Sequence, residues 1–598
     1  MRFEYYTRAL VVFVFLFSLV IYLLTPLLLN RKPPLARDSE YCGYVVSYPY
    51  KSAKFFYFYL KNNDGRFLVK TTQYIELSLY DYICLKGDVS EINSCDYFGN
   101  FSWKKYMNLK NIFWEINSYE IRRIRSSNIF FSIASTIRYR FKKMVEKNFS
   151  RNLYSVIEGL VLGEKEDLSA DFKDAVNRCG ITHLMVASGS NISYFMSFCF
   201  FVVGFFPFPR RLKYFISMIF GFLYVLIIGF DPPVTRGYMM IVCGFLIYFL
   251  RRNTDPFNSV VLVFTVMLLN QPLYIYDPSF IMSFLCVYGI VVGFMNWGWI
   301  FEKFDLIKFK SSDGRLFVFL KMTLRRSIRA IVSIFLMTIF SQMMLFPYVS
   351  THFYRFSLVS YLSNLILIPF SSAVMSVSVL WSFLRFFTDL TFADTLVELS
   401  VNGFINMVYY FSSFKYSMIY FSLPNPVSVI SITLLILTLL HLPIFDFSKP
   451  WSKLWFSFVF IFLIFSFSIR TPVGDDINLK AKHKDVWYIE RNGEYFIVDP
   501  ILDADKIINA VYASRRNRVD YIVISSYKTF RKKTLLKLIE TFKVKKVIMP
   551  MWICEKDIPA DCIFGGEERN GFYAEFYDNY GYHNIYSRLR FCFKDRCF

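Results

Sequence analysis

His183-Leu-Met-Val-Ala-Ser-Gly-Ser-Asn-Ile-Ser-Tyr194 leads into a Phe-rich run that ends at residue 206, a stretch long enough to cross a bilayer. Inside hydrocarbon a hydroxyl or amide finds no water, so His183, Ser188, Ser190, Asn191 and Ser193 must face other helices or a wet cavity. Ala187, Ser188, Gly189 and Ser190 are also small enough for two helices to meet backbone to backbone. The stretch therefore reads as a tight packing seam or as the wall of a polar cavity, and His183 as a packing or interface histidine or as a ligand.

Working outward, 55% of residues are hydrophobic and mean hydropathy is +0.37. With several apolar runs of about 18 residues or more, this is the composition of a polytopic α-helical membrane protein. Residues 9–29 read as a first span that stays attached as an anchor. The other spans are expected at 183–206, 214–230, 237–250, 258–275, 280–299, 328–349, 357–384, 395–418, 426–442 and 453–470, making eleven. The 237–250 stretch is short and 357–384 holds Pro369, so either reads as a broken or re-entrant element. A net charge of +22 suits anionic lipid or nucleic acid. Eleven scattered cysteines, none in a CxxC pair or beside His at ligand spacing, argue against a zinc or iron–sulfur site.

Two regions break the apolar pattern. Residues 31–120 alternate in short stretches (Tyr41–Val46, Phe55–Leu60, Arg66–Lys70, Tyr74–Leu79) broken at Asn63-Asp64-Gly65 and Gly87-Asp88, as a small all-β domain would. From 474 to 598 a hairpin around Asn492-Gly493 precedes a βαβ unit: strand Val519–Ser525, helix Thr529–Lys543, strand Lys545–Pro550. Between the first span and 183, Arg122, Arg123, Arg125, Arg138, Arg140, Lys142, Lys143, Lys147 and Arg151 against Glu146 suggest a basic amphipathic helix. It either lies on anionic headgroups or lines a mouth for polyanions. Glu158–Gly180 reads as a polar, partly helical connector with Ser169 as a helix cap.

Loop charge sets orientation. Arg210, Arg211 and Lys213, then Arg251 and Arg252, then eight basic residues over Lys303–Arg329 fall on one side, which the positive-inside rule makes cytoplasmic. The N-terminus shares that side, and the β domain and tail lie outside.

Gly159-Leu-Val-Leu-Gly163, Leu168-Ser169 and Gly180-Ile-Thr-His183-Leu-Met-Val-Ala-Ser188-Gly189 resemble the signature of the ComEC-type competence proteins, inner-membrane DNA-uptake channels of natural transformation. Phe230-Asp-Pro-Pro-Val-Thr-Arg236-Gly-Tyr-Met239 follows in order. So do Asn270-Gln-Pro272, Asp277-Pro-Ser-Phe280 and Ser283-Phe-Leu285, and then Pro347 through Phe353, Ser357, Asn364-Leu365 and Pro369. Asn100-Phe-Ser-Trp-Lys-Lys-Tyr106 fits the end of that family's external domain. The resemblance spans roughly 40–550 and is strongest over 155–370.

It implies an N-terminal transmembrane anchor (1–30), an external OB-like domain (31–120), a basic helix and connector (121–182), a channel domain (183–470) and an external metallo-β-lactamase-like domain (474–598). Single-stranded DNA and membrane lipids are the implied partners, with an external DNA-receptor protein and a cytoplasmic ATPase or helicase; a homodimer is admitted. Channel or DNA-path candidates are His183, Ser188, Gly189, Asn191, Asp231, Arg236, Asp277, Gln342, Asn364 and Pro369. Of these, Asp231, Arg236, Asp277, Gln342 and Asn364 are costly polar groups within or at the ends of spans, where the plainer reading is an interhelix pair or interfacial anchor. The sequence departs from the family twice. Asn191 stands where the family usually has His, and Ser525-Ser-Tyr-Lys-Thr-Phe-Arg531 stands where a His/Asp ligand motif follows the strand in members with an intact nuclease-like domain. Lys528 and Arg531 would repel a cation, so a degenerate domain is expected, with no metal, no cofactor and no hydrolysis. Cys592 with Cys597, and Cys554 with Cys562, are candidate disulfides. A transporter or flippase for a lipid-linked or other anionic substrate remains the alternative, although its cues, paired intramembrane carboxylates and internal repeats, are not seen.

Overall fold

The computed structural model describes residues 18, 20, 39–52, 54–73, 75–92, 100, 102–249, 256–300, 315–388, 391–414, 416–423, 425–445, 448–469, 477–479, 486–491, 494–514, 518–524, 531–542, 544–548, 561–563, 572–577, 588–593 and 596–597. The proposed anchor apart from Ser18 and Val20, Cys554 and the Ser525–Phe530 segment lie outside these residues.

The N-terminal β region is built from β1 (Ser39–Val45), β2 (Tyr50–Ser52), β3 (Phe55–Asn62), β4 (Gly65–Thr71), β5 (Tyr82–Glu91), a short helix α1 (Trp103–Leu109) and β6 (Ile112–Arg125). Its order β1-β5-β6-β4-β3 closes on itself through β1–β3, giving a small barrel. Closure works because alternate side chains such as Phe58, Leu60, Phe67, Val69, Ile83, Leu85 and Ile116 fill one interior. Gly65, at φ +141°, makes the expected turn, with Asn62 Oδ1 accepting from the Asp64 and Gly65 amides. Gly87 does not end a strand: β5 runs through it with a bulge, where a Cβ would stand 2.4 Å from the Asn117 carbonyl oxygen. The expected strand over 74–79 does not form; Leu77 and Leu79 are buried without pairing.

Cys42 and Cys84 face each other on β1 and β5 and are disulfide-bonded, a pairing that scattered cysteines did not reveal. Replacing both by serine should lower stability by about 2–4 kcal/mol. Thermal unfolding of the detergent-solubilised protein should show that loss, and reductant should reproduce it in the wild type.

The expected basic helix is two elements. Arg122, Arg123 and Arg125 belong to β6, because the backbone pairing of that strand with β5 continues past residue 120, Cys84 opposite Arg122, Ile83 opposite Arg123 and Tyr82 opposite Arg125. The helix itself is α2 (Ile129–Asn148), and α3 (Arg151–Leu162) follows after Ser150. The connector also departs from expectation: α3 is buried from Ser155 to Leu162, while α4 (Ala170–Cys179) starts at Ser169, whose Oγ accepts from the Phe172 amide.

Among the described residues ten α-helices follow: α5 (Gly189–Gly204), α6 (Arg210–Ile228), α7 (Pro232–Phe249), α8 (Pro256–Asn270), α9 (Pro278–Trp297), α10 (Arg315–His352), α11 (Ser360–Phe387), α12 (Thr391–Ser412), α13 (Pro426–Leu440) and α14 (Pro450–Ser468). A two-stranded ribbon pairs β7 (Arg355–Ser357) with β8 (Met418–Tyr420). Five of these helices, α6, α9, α10, α11 and α14, are long and apolar enough to cross a membrane, and α5, α7, α8 and α13 are shorter apolar helices. This is a membrane protein. α12 fills the 395–418 expectation but carries Asp394 and Glu398; Asp394 accepts from Trp381 Nε1 at 2.6 Å and pairs with Arg385. α11 continues through Pro369 without a break, and α7 starts earlier than expected, on Pro232 and Pro233.

The C-terminal unit comprises β9 (Ile477–Leu479), β10 (Val486–Arg491), β11 (Glu494–Val498), α15 (Ala504–Ala513), β12 (Tyr521–Val523), α16 (Lys532–Phe542), β13 (Lys546–Ile548) and β14 (Asp561–Ile563), in a sheet ordered β14-β13-β12-β11-β10-β9. The hairpin and the parallel βαβ unit are where the sequence puts them. Beyond it β15 (Phe572–Tyr577), β16 (Arg588–Phe593) and β17 (Arg596–Cys597) form a separate sheet in which Cys592 and Cys597 are register partners. The unit docks on α4, where Lys533 and Lys537 pair with Asp171 and Asp174, and on β8, where Tyr420 stacks with Tyr512.

Candidate functional site

The polar stretch that opens the 183–206 segment is mostly outside the helix. His183 sits exposed in a 3-10 turn (Thr182–Leu184), and α5 begins only at Gly189 with Ser188 as its cap residue. Asn191, 2% exposed, donates to the Leu160 carbonyl at 3.0 Å, while its Oδ1 accepts from Ser188 Oγ at 2.9 Å. Tyr224 donates to Val161 O at 2.6 Å, so two polar side chains tie α5 and α6 to the end of α3. Gly189 and Gly237 bring α5 and α7 into backbone contact; a Cβ on Gly237 would stand 2.6 Å from Gly189 Cα. The packing-seam reading holds here.

A second group crosses from α7 to α9. Arg236 is 1% exposed and its Nη2 donates to Ser279 O and Oγ at 3.0 and 3.1 Å, while its Nε and Nη1 have no hydrogen-bond partner among the described residues. Asp231 and Asp277 stand within its electrostatic reach, and Asp277 caps α9 through the Ser279 amide. Lys110, at the end of α1 and over the Tyr106 and Tyr59 rings, reaches the same Asp231 field, as does Lys165. Gln271 fixes the barrel here by donating to Leu109 O at 3.0 Å.

The third group joins α10 to α11. Gln342 Nε2 donates to Ser360 Oγ at 2.6 Å, its Oε1 has no partner, and Asn364 Oδ1 is likewise buried and unbonded. Gln342 also borders an apolar groove of about 410 Å³ with Met343, Phe346, Tyr361, Ile436 and Phe467. Pro369 lies further along α11 and joins none of the three groups. The sequence candidates thus gather as three interhelix contacts rather than one constellation.

The sequence reading missed a buried charge cluster. Arg138 and Lys142 of α2 both bond Glu164, and Lys142 stands 3.9 Å from Glu158. The Ile129, Phe130, Ile133 and Ile137 side chains of α2 are instead exposed, and so are Arg140, Lys143 and Lys147; an exposed apolar stripe beside exposed cations favours the membrane-surface reading over the polyanion mouth. Burial opposes ionisation of Glu164, but Arg138 and Lys142 outweigh it and hold its carboxyl below the usual range. Glu158, 1% exposed with Oε1 unbonded, is pushed up by burial to about 8, with Lys142 only partly offsetting. A lone acid within Ser155-Val-Ile-Glu-Gly-Leu-Val-Leu162 is the signal that could have found it.

Glu158 holds a proton in the folded protein between its ordinary value and about 8, where the unfolded chain has lost it. Stability should therefore fall as pH rises through that window and level off above it. Glu158→Gln should be flat there, gaining on the wild type from pH 5 to pH 8 in thermal melts of the detergent-solubilised protein. A wild-type curve parallel to that of the variant would refute the assignment.

Among the described residues, the metal-type ligands that converge are Glu40, Cys42 and Cys84, and the disulfide leaves those two sulfurs no thiolate to offer. An opening lies outside the apolar helices. It is a cavity of about 760 Å³ where β2, the start of α3, the 165–168 loop, α4, the 182–186 turn and β7 meet.

A model of the family described as Competence protein matches residues 160–446, from the end of α3 to just past α13. Over that segment the chain resembles the competence proteins. ComE operon protein 3 of Bacillus subtilis (strain 168) is 21% identical over 289 residues, covering 48% of this chain and 33% of that relative. The match thus spans about a third of the relative's length. No solved structure matches. The competence segment contains every candidate named from sequence, and also Glu164 and Arg355; the barrel, α2, α14 and the C-terminal unit lie outside it.

Proposed function

We propose that this protein forms the route by which single-stranded DNA crosses the cytoplasmic membrane during natural transformation. The observation that carries the reading is the coincidence of the competence segment with the three buried polar contacts, above all Arg236 with two unbonded nitrogens. Such groups are expensive among apolar helices and are retained where helices must part or a polar chain must pass.

In this reading the N-terminus is cytoplasmic, and the barrel and C-terminal unit are external. The Cys42–Cys84 disulfide supports that side for the barrel, since disulfides persist in oxidising compartments. The five-strand closure, with β4 and β6 parallel, supports an OB-like identity. The C-terminal sheet is read as a degenerate metallo-β-lactamase-like domain without nuclease activity, because the sequence after β12 offers Lys528 and Arg531 in place of metal ligands. An external DNA receptor and a cytoplasmic ATPase or helicase complete the system.

The test is uptake of labelled DNA by cells lacking the gene and by complemented cells. Deletion should stop internalisation while surface-bound DNA remains; uptake unchanged by deletion would defeat the reading.

A further inference from the structure

The cavity of about 760 Å³ is lined by Lys51, Arg151, Lys165, Lys173 and Arg355 against Glu166 and Asp167. Five cations facing two carboxylates leave an excess of three positive charges in one concavity. Its volume falls within the range of built ligand sites, roughly 300–1,000 Å³. Part of the charge is already committed: Arg151 pairs with Asp167 at 3.5 Å, Lys173 donates to Glu166 O at 3.1 Å, and Lys51 lies 5.9 Å from the Phe56 ring centroid. These are partly exposed contacts, weak enough for a multivalent anion to displace.

The wall formed by the barrel adds a second element. Tyr50, beside Lys51 on β2, stacks on Tyr57 of β3 with centroids 5.7 Å apart, and Glu166 of the cavity lies within its electrostatic reach. Tyr59 and Lys110 continue the row towards Asp231 and Arg236. Cations spaced around a groove with aromatic faces at its edge are the arrangement that holds single strands, phosphates on the cations and bases on the rings. A duplex keeps its bases stacked inside and could use only the cations.

Resting on the transport reading above, we propose that this cavity is a sequence-independent binding site for the phosphodiester backbone of a single strand, with the Tyr50–Tyr57 pair as the stacking step at its rim. Arg355 and Lys51 are its decisive cations because they come from two separate parts of the fold, the ribbon strand β7 and the barrel strand β2. The bound strand then lies at the junction of barrel, connector and ribbon, outside the apolar helices.

The experiment uses the full-length protein in nanodiscs of zwitterionic lipid and a fluorescent 12-nucleotide oligo-dT, titrated at several salt concentrations. Wild type should bind with a steep salt dependence. The triple variant Lys51→Gln, Lys173→Gln, Arg355→Gln should lose about 2 from the log–log slope, at roughly 0.7 per phosphate contact. Tyr50→Leu should weaken oligo-dT binding by about tenfold while leaving the slope unchanged, since stacking is worth about 1–3 kcal/mol per base. Lys86→Gln, on β5 and not lining the cavity, serves as the folded control. Unchanged slope and affinity in the triple variant would overturn the site. So would equal competition by phosphatidylglycerol vesicles, which would assign the cavity to lipid headgroups. If the cavity variants fail to bind yet gene-deleted cells still import DNA, the site stands and the transport reading falls. If deletion stops import while the variants bind and import normally, the transport reading stands and the site falls.

Discussion

Arg236→Met is expected to destabilise the solubilised protein by about 3–5 kcal/mol and to stop DNA internalisation in cells. The guanidinium is buried, it bonds Ser279 through Nη2, and Asp277 and Asp231 lie within its field. Methionine fills similar volume but removes the cation that Asp277 and Asp231 share, leaving Lys110 and Lys165 to face Asp231, and taking one partner from a buried charge group costs more than the pair itself contributes. Arg236→Lys keeps the charge but not the reach and planar head that set Nη2 against both Ser279 oxygens, so an intermediate loss is expected. Chemical unfolding in detergent and uptake assays at matched membrane levels read the two effects separately. Full stability and full uptake in Arg236→Met would remove Arg236 from both roles.

Gly163→Ala should be nearly as damaging, although it adds one methyl group. Gly163 ends α3 at φ +76°, and a Cβ there would stand 2.3–2.5 Å from the Ala187 N, Cβ and Cα atoms. A left-handed alanine costs about 1–2 kcal/mol and forced overpacking about 1–3 more. Together these predict a loss of about 2–5 kcal/mol, read as lower yield of folded protein and a lower melting temperature. Ala187→Gly on the same background should recover only part, because the Ala187 backbone atoms remain in the way. No loss in Gly163→Ala would mean that α3 and the 182–188 turn pack less closely than this structure has them.

The apolar runs were legible because their cause is local: a length of hydrophobic residues specifies a helix whatever its neighbours. Ten expected spans correspond to helices α5 to α14 for that reason. The hairpin at 486–498 and the βαβ unit were equally open, since turn residues and alternation are written in adjacent positions. The barrel was visible as strands but not as a closed object, since β1–β3 and β4–β6 are long-range pairings. Arg122–Arg125 were misplaced because charge density says nothing of the pairing with β5 that makes them part of β6. Of the candidate site, Arg236, Asp277, Gln342 and Asn364 were found because an isolated polar group in an apolar run stands out. The cavity was not, because Lys51, Arg151, Lys173 and Arg355 are ordinary surface-type residues until the fold gathers them.

The helical body keeps its apolar side chains in separate clusters. One gathers α3, α4, α5, α6, α7, α11 and α12; another α8 with the start of α9; a third the rest of α9 with α10 and α13. The bond from Gln342 to Ser360 joins the first cluster's α11 to the third cluster's α10, beside the groove at that boundary. Separating those helices would give up a hydrogen bond of about 1 kcal/mol rather than divide an oily interior. α5 and α7, locked by Gly189 against Gly237, would travel together. If the transport reading proposed above holds, the assembly would act as hinged plates rather than a drilled tube, with an aperture opening along a joint that already exists and shutting again without having wetted a core.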